Sequence, residues 1–413
     1  MTEREDASTA VARTTPPLDL LGRARELAPF FDGYAETNEA GEVLADEVVD
    51  TLAREGFFGL WVPRSLGGAE HDAVQALEVL EEVSRAEAST GWVLMATALA
   101  TATGGVYLDD DAVAQLFADG GIPLIAGQGA APNGTASAQD GGYVLTGRWS
   151  YGSGVRHVDY LHSAGVVHEN GAPRLGPGGT PEVRIFVTPR AQAEFDGNWD
   201  VLGLRATASI DYSMDSVFVP EGFTHVAVTE EPKRGGNLFV LGIPGLAIIC
   251  HSGWALGVGR RMLDELTAYV HTKGNRPGTL AQSESFHEAY GKAEARYRAA
   301  RAFVYETWRS NQETLDRGEK LSTRQRTLSW LALNNVTWTV SDVCSFAYTT
   351  AGGVALRRGP IQRLFRDMHA GTQHITSSQP ILRECGRELV GLAEGQVWAA
   401  LGRLVDPTES ERA

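Results

Sequence analysis

GGVALRRGPIQRLFRDMHAGTQH, residues 352–374, decides how the rest of the chain is read. Gly352 and Gly353, Pro360, Arg363, Arg366 and Asp367 stand in the order Gly-Gly-x6-Pro-x2-Arg-x2-Arg-Asp, and the stretch closes on His374. Histidine is the side chain whose unperturbed pKa suits proton transfer near neutrality. Ile375, the next residue, has no group that accepts a proton. Working outward, long helical periods with few breakers predict helices over 245–271, 284–312, 322–350 and 378–404, four helices that make an antiparallel bundle. Between Ile122 and Pro220 the texture changes to short alternating runs such as Tyr143-Val144-Leu145-Thr146 and Asp215-Ser216-Val217-Phe218-Val219, separated by Gly, Pro, Asn and Asp, which predicts a small β-barrel or sandwich. From Leu18 to Gly120 the pattern is helical again. Val43, Val48, Val49, Leu52 and Ala53 make an apolar face ended by Gly56, and Ala73 to Arg85 alternates Leu77, Leu80 and Val83 with Glu78, Glu81 and Glu82, an acidic side read as solvated.

At 413 residues the chain is too long for one hydrophobic core. Its parts divide at 1–17, 18–120, 121–232 and 233–413. A formal charge of −16 with no basic run disfavours a nucleic-acid partner and favours a small-molecule substrate. Cys250, Cys344 and Cys385 are widely spaced in apolar or helical surroundings and read as buried structural thiols. Residues 1–17 are polar, without the apolar centre of a secretory signal, and read as a disordered tail on a cytoplasmic protein. Leu238–Leu256 is nearly all apolar or small and contains Gly253-x3-Gly257, but it runs on into Arg260, Arg261, Asp264 and Glu265 at helical spacing. That continuation makes it a closely packed core helix and not a membrane span. His369 and His374, five apart, do not make a helical metal pair, and no metal site is expected.

The helical, β and helical order, with the 352–374 signature, resembles the acyl-CoA dehydrogenase fold along nearly the whole chain: an N-terminal helical domain, a middle β-barrel and a C-terminal four-helix bundle. In that family a carboxylate base is expected at position 375. The isoleucine there, with His374 before it, resembles the branch of the fold that became flavin-dependent monooxygenases, and this implies His374 as the active-site base. The residues alone also allow a histidine that caps the helix beginning near Ser378, while His369 reads as a surface or supporting residue. Gly147-Arg148-Trp149-Ser150-Tyr151-Gly152-Ser153-Gly154, with His157 after it, resembles the flavin-edge strand of the monooxygenases. The resemblance implies Ser153 beside flavin N5, slowing loss of peroxide from a C4a-hydroperoxide, with Trp149 in the flavin pocket. Taken by themselves, Ser150 and Ser153 could equally satisfy turn backbone in a Gly-rich hairpin.

Trp199-Asp200-x-Leu-Gly203-x-Arg205-x-Thr207-x-Ser209 resembles the family's second β-domain motif. It implies Trp199 stacked on the flavin or simply in the core, and Arg205, Thr207 and Ser209 on flavin phosphate or ribityl groups or else in strand-edge hydrogen bonds. Gly352, Gly353 and Arg366 join the cofactor-binding set on the same resemblance. His271 stands where the dehydrogenases keep an arginine for FAD pyrophosphate; Lys273 and Arg276 are the substitutes, and FAD versus FMN stays open. No Gly-x-Gly-x-x-Gly opens a helix after a strand, since Gly127-x-Gly129 runs into Pro132. The implied enzyme therefore takes FADH2 or FMNH2 from a separate NAD(P)H:flavin reductase, adds O2, and hydroxylates an aromatic or polycyclic molecule. The substrate pocket would draw on Trp92 to Ala102, the β-domain and the loop after Pro232. The resemblance also implies a homotetramer assembled through the C-terminal helices. The alternatives are a member that oxygenates nitrogen or sulfur, an acyl-CoA dehydrogenase drawing its base from Glu384, Glu388 or Glu394, and a catalytically inactive binding protein.

Overall fold

A computed structural model describes residues 19–176, 179–272, 274, 278–399 and 402–406. The expected tail, 1–17, and the substitutes Lys273 and Arg276 lie outside the described residues. The N-terminal part holds α1 (Leu20–Gly41), α2 (Asp46–Arg54), α3 (Ala73–Ala86), α4 (Ala88–Tyr107) and α5 (Asp110–Leu116). A capping box starts α3: Asp72 accepts from Gln75 N–H while the Gln75 side chain accepts from Asp72 N–H. Its apolar stripe Leu77, Leu80 and Val83 is fully buried, as the periodicity requires. The acidic side is not all solvated, because Glu81 is only 9% exposed. Its carboxylate accepts from Arg301 Nε (2.7 Å) and Nη2 (3.1 Å) and from the Tyr305 hydroxyl (2.6 Å), a buried junction between α3 and a C-terminal helix.

The middle part is one nine-stranded mixed sheet. Its strands are β1 (Ile125–Gln128), β2 (Gly134–Gln139), β3 (Gly142–Gly152), β4 (Tyr160–Glu169), β5 (Ala172–Pro173), β6 (Val183–Pro189), β7 (Glu194–Phe195), β8 (Ile210–Pro220) and β9 (Thr224–Val226). The order is β7-β8-β3-β2-β4-β6-β9, with β1 and β5 also paired to β4. The barrel expected from the sequence is not closed. The path ends at β7 and β9, two and three residues long, and edges this short cannot supply the continuous ladder that closure demands.

The C-terminal part holds α6 (Gly242–Thr272), α7 (Glu284–Asp316), α8 (Thr323–Ala351), α9 (Pro360–Gly371) and α10 (Pro380–Leu389), then a hairpin of β10 (Val397–Ala399) and β11 (Arg403–Val405). Three of the four long helices are as expected; the fourth, over 378–404, is not. It stops after α10, where Gly391 and Gly395 take φ of 79° and 78° and turn the chain into the hairpin. Among the described residues one segment, Asn237–Thr272, is long and apolar enough to cross a membrane, and 72% of its most apolar window is buried inside the fold. Its close packing is visible at Gly257, where an added Cβ would sit 2.3 Å from Glu81 O of α3. All three cysteines are free and buried. One hydrophobic cluster runs through the N- and C-terminal helices, and it takes in Leu204 and Ala206 from the loop before β8. That loop thus belongs to the sheet by connection and to the helices by packing.

Candidate functional site

The site grows from an irregularity in β3. Its pairing with β8 shifts between Trp149 and Gly152, and Tyr151 takes a left-handed φ of 66°. Before the irregularity Trp149 keeps the alternation of Tyr143 and Leu145 and points into the sheet's own core. It is fully buried, donates Nε1–H to Ala164 O (2.8 Å) and stacks on Tyr212 at 5.4 Å. Trp149 is a core residue, which corrects its expected place in the flavin pocket. Ser153, past the irregularity, emerges beside α4.

Three hydroxyls and an indole meet there. Trp92 of α4 donates Nε1–H to Ser153 Oγ at 3.0 Å. Ser153 Oγ lies 2.7 Å from Ser209 Oγ, which lies 2.7 Å from Thr207 Oγ1, and Thr207 donates to Leu204 O at 2.8 Å. The peptide of Leu204 continues the connection, since its N–H donates to Asp367 Oδ1 of α9 at 2.6 Å. Gly203 lets the loop lie against α9, for a Cβ there would meet Arg366 O at 2.2 Å. Leu204 and Ala208 hold φ of 54° and 43°, strain for side-chain-bearing residues that the surrounding contacts must hold in place. Burial pushes the Asp367 carboxyl up to about 7, against the opposing pull of Leu204 N–H, Arg363 and Arg366, and its Oδ2 has no hydrogen-bond partner.

His374 stands on the other side of Trp92, with the two rings 5.9 Å apart and edge-on. Its Nδ1 is 2.8 Å from Thr376 Oγ1 and 3.4 Å from Thr376 N, so it caps the short turn Ile375–Ser377 and not the helix after Ser378. His251 of α6 faces the His374 ring at 4.1 Å, and Trp92 lies edge-on to it at 5.1 Å. Burial holds His374 down to about 4; burial, and then the neighbouring His374, hold His251 well below the ordinary value. Both imidazoles are neutral at pH 7. His251 was not singled out from sequence; its one signal was a histidine inside the apolar run Leu238–Leu256.

Other expected site residues fall elsewhere. Trp199 is half-buried beside the cluster: its Nε1–H donates to Leu204 O (3.1 Å), the carbonyl that also accepts from Thr207, and its ring meets the exposed Tyr151 edge-on at 6.3 Å. Arg205 pairs with Glu42 at the end of α1 and donates to Val201 O (3.1 Å), and Arg366 pairs with Glu39 of α1 and donates to Leu202 O (2.9 Å). These two guanidiniums fasten α1 to the loop and to α9. Gly352 and Gly353 are exposed after α8, with open space where a Cβ would stand. His369 has both ring nitrogens engaged, at Phe365 O (2.7 Å) and Ser345 Oγ (3.3 Å). His271 is exposed at the end of α6. The loop after Pro232 is tied to the α4–α5 end through Lys233–Asp109 and Arg234–Asp110.

Comparison with known proteins agrees with this architecture. The family profile described as acyl-CoA dehydrogenase, N-terminal domain, matches residues 24–107, and that described as acyl-CoA dehydrogenase, C-terminal domain, matches residues 249–379, together more than half of the chain. The chain is 26% identical over 386 residues to the indole-3-acetate monooxygenase of Pseudomonas putida, covering 91% of this chain and 96% of that protein. It is 28% identical over 406 residues to the oxygenase component of the FADH2-dependent resorcinol hydroxylase of Rhizobium sp. (strain MTP-10005), covering 92% and 96%. The structure of XiaF from Streptomyces sp. in complex with FADH2 and glycerol has the same fold, with a TM-score of 0.81 at 22% identity over 91% of this chain and 95% of that one. The chain belongs to the acyl-CoA dehydrogenase family, in its flavin-dependent monooxygenase branch.

Proposed function

We propose that the protein is the oxygenase component of a two-component system, hydroxylating an aromatic small molecule with reduced flavin, FADH2 or FMNH2, delivered by a separate NAD(P)H:flavin reductase. The observation that carries this reading is the convergence of Ser153 and His374 on the two sides of Trp92, where sheet, N-terminal helices and C-terminal helices meet. The residues fit a flavin ring. Ser153 Oγ keeps a lone pair for N5, and Tyr151 and Trp199 offer aromatic surface beside it. When bound, the reduced flavin supplies activation of O2 for transfer of one oxygen atom to the substrate.

The chain supplies position and a place for a proton. In the tautomer whose Nδ1–H donates to Thr376 Oγ1, which gives up the 3.4 Å contact from Thr376 N–H, His374 Nε2 is left to accept a proton from a phenol. Burial makes this imidazole a weak base, and a phenolate forming against it is the opposite charge that strengthens it. A cavity of about 610 Å³ lies between the sheet and the C-terminal helices, walled by Val226, Val228, Ile248, Trp308, Trp330 and Trp398. Its size and aromatic lining suit an apolar organic molecule. Ser153 and His374 do not line it, so the reaction is not placed there.

The dehydrogenase reading has less support. Ile375 offers no base, Glu384 pairs with Arg387, and Glu388 pairs with Arg324. A homotetramer joined through the C-terminal helices fits the exposed Val390 and Leu392 beyond α10. The deciding experiment mixes the protein anaerobically with FADH2 or FMNH2 and then with O2. A long-lived near-ultraviolet absorbance with little free H2O2 supports the oxygenase. Immediate reoxidation with stoichiometric H2O2 for both flavins overturns it.

A further inference from the structure

The hydroxyl chain at Ser153 has a direction that can be worked out from proton counting. A carbonyl oxygen only accepts, so the single hydroxyl proton of Thr207 lies on its bond to Leu204 O. Ser209 must then donate to Thr207, and Ser153 to Ser209. At the other end the Trp92 indole has only a proton to give, and gives it to Ser153. Every proton along Trp92, Ser153, Ser209 and Thr207 thus points toward Leu204. Ser153 has no proton left to offer a ligand, and one lone pair still free.

We propose that Thr207 and Ser209 are positioning residues that hold Ser153 as a hydrogen-bond acceptor, so that the site discriminates between redox states of the flavin. Resting on the oxygenase reading, this gives the discrimination a simple origin. Reduced flavin carries a proton on N5 and donates to Ser153; oxidised flavin has only a lone pair on N5, which would face the Ser153 lone pair. The anchor of the chain is rigid. Leu204 is held by its N–H on Asp367 and by a second donor to its carbonyl, Trp199 Nε1, so loss of Thr207's proton from that carbonyl leaves the loop tethered.

The test measures dissociation constants of reduced and oxidised FAD and FMN, anaerobically, for the parent protein and for Thr207→Val, Thr207→Ser, Ser209→Ala and Ser153→Ala. In Thr207→Val, Ser209 is free to turn its proton to Ser153, which can then donate to oxidised N5; in Ser209→Ala, Ser153 is freed directly. Both variants are expected to narrow the preference for reduced flavin by about 2- to 12-fold, the value of one ordinary net hydrogen bond. Thr207→Ser keeps the parent ratio, and Thr207→Val has no further effect on a Ser153→Ala background. A merely structural role would weaken both redox states alike. If the parent binds flavin and the ratio is the same in Thr207→Val and Ser209→Ala, the directed chain is wrong while the oxygenase reading survives. If the parent binds neither flavin, both fall.

Discussion

His374 closes a turn and, in the proposed function, is also the base. Its Nδ1 edge closes a turn, and its Nε2 edge is left at the Trp92–His251 cluster. Replacing it by alanine is expected to lower product formation by about 100-fold or more, the usual worth of a positioned acid–base group. Uptake of reduced flavin should continue in that variant, with H2O2 replacing product; a variant that still hydroxylates at the parent rate would remove the base assignment. The site was partly legible in the sequence. Ser153, Thr207, Ser209 and Trp199 were named through resemblance to a family's motifs, and His374 by counting on from Arg366-Asp367 within such a motif. Trp149 was placed in the flavin pocket by resemblance, whereas the alternation of Tyr143, Leu145 and Trp149 along β3 puts it on the sheet's buried face. His251 and Trp92 were brought to His374 by packing alone, which no local pattern reports.

At the level of elements, helices and strands were readable where a period persisted, as in α3 and α6 to α8. Over 378–404 the apolar residues Leu382, Leu389, Val390 and Leu392 kept helical spacing, but two left-handed glycines outweighed it. The crossing of α3 and α6 is the tightest joint that the sequence did announce, through Gly253-x3-Gly257. An alanine at Gly257 drives a methyl group into the α3 backbone at Glu81 O, and overpacking of this kind costs about 1–3 kcal/mol. Denaturant unfolding of Gly257→Ala should show a lowered midpoint. An unchanged midpoint would mean that the two helices slide apart freely.

For the whole molecule, buried histidines set the response to acid. Burial holds His162 to about 3 and His225 and His374 to about 4, all below the unfolded value of about 6.5. The unfolded chain therefore binds protons that the folded one refuses from about pH 6.5 down to about pH 4. In that window stability falls with pH, by about 1.4 kcal/mol per pH unit for each histidine. Asp367 works the other way. With its carboxyl raised to about 7, the folded state keeps a proton that the unfolded state releases, so its contribution shrinks as pH rises toward 7. With His251, also held low, these histidines outweigh the one carboxyl in acid, and unfolding midpoints measured between pH 4.5 and 6.5 should climb; a flat profile would show that these imidazoles are solvated. The bond from Leu204 N–H to Asp367 also fixes an order in time. It joins residues 163 apart, and the Arg366 pair with Glu39 joins residues 327 apart. During synthesis the loop carrying Thr207 and Ser209 leaves the ribosome long before its anchor exists. The hydroxyls of Thr207 and Ser209 are made at mid-chain and set only when the C-terminal helices arrive.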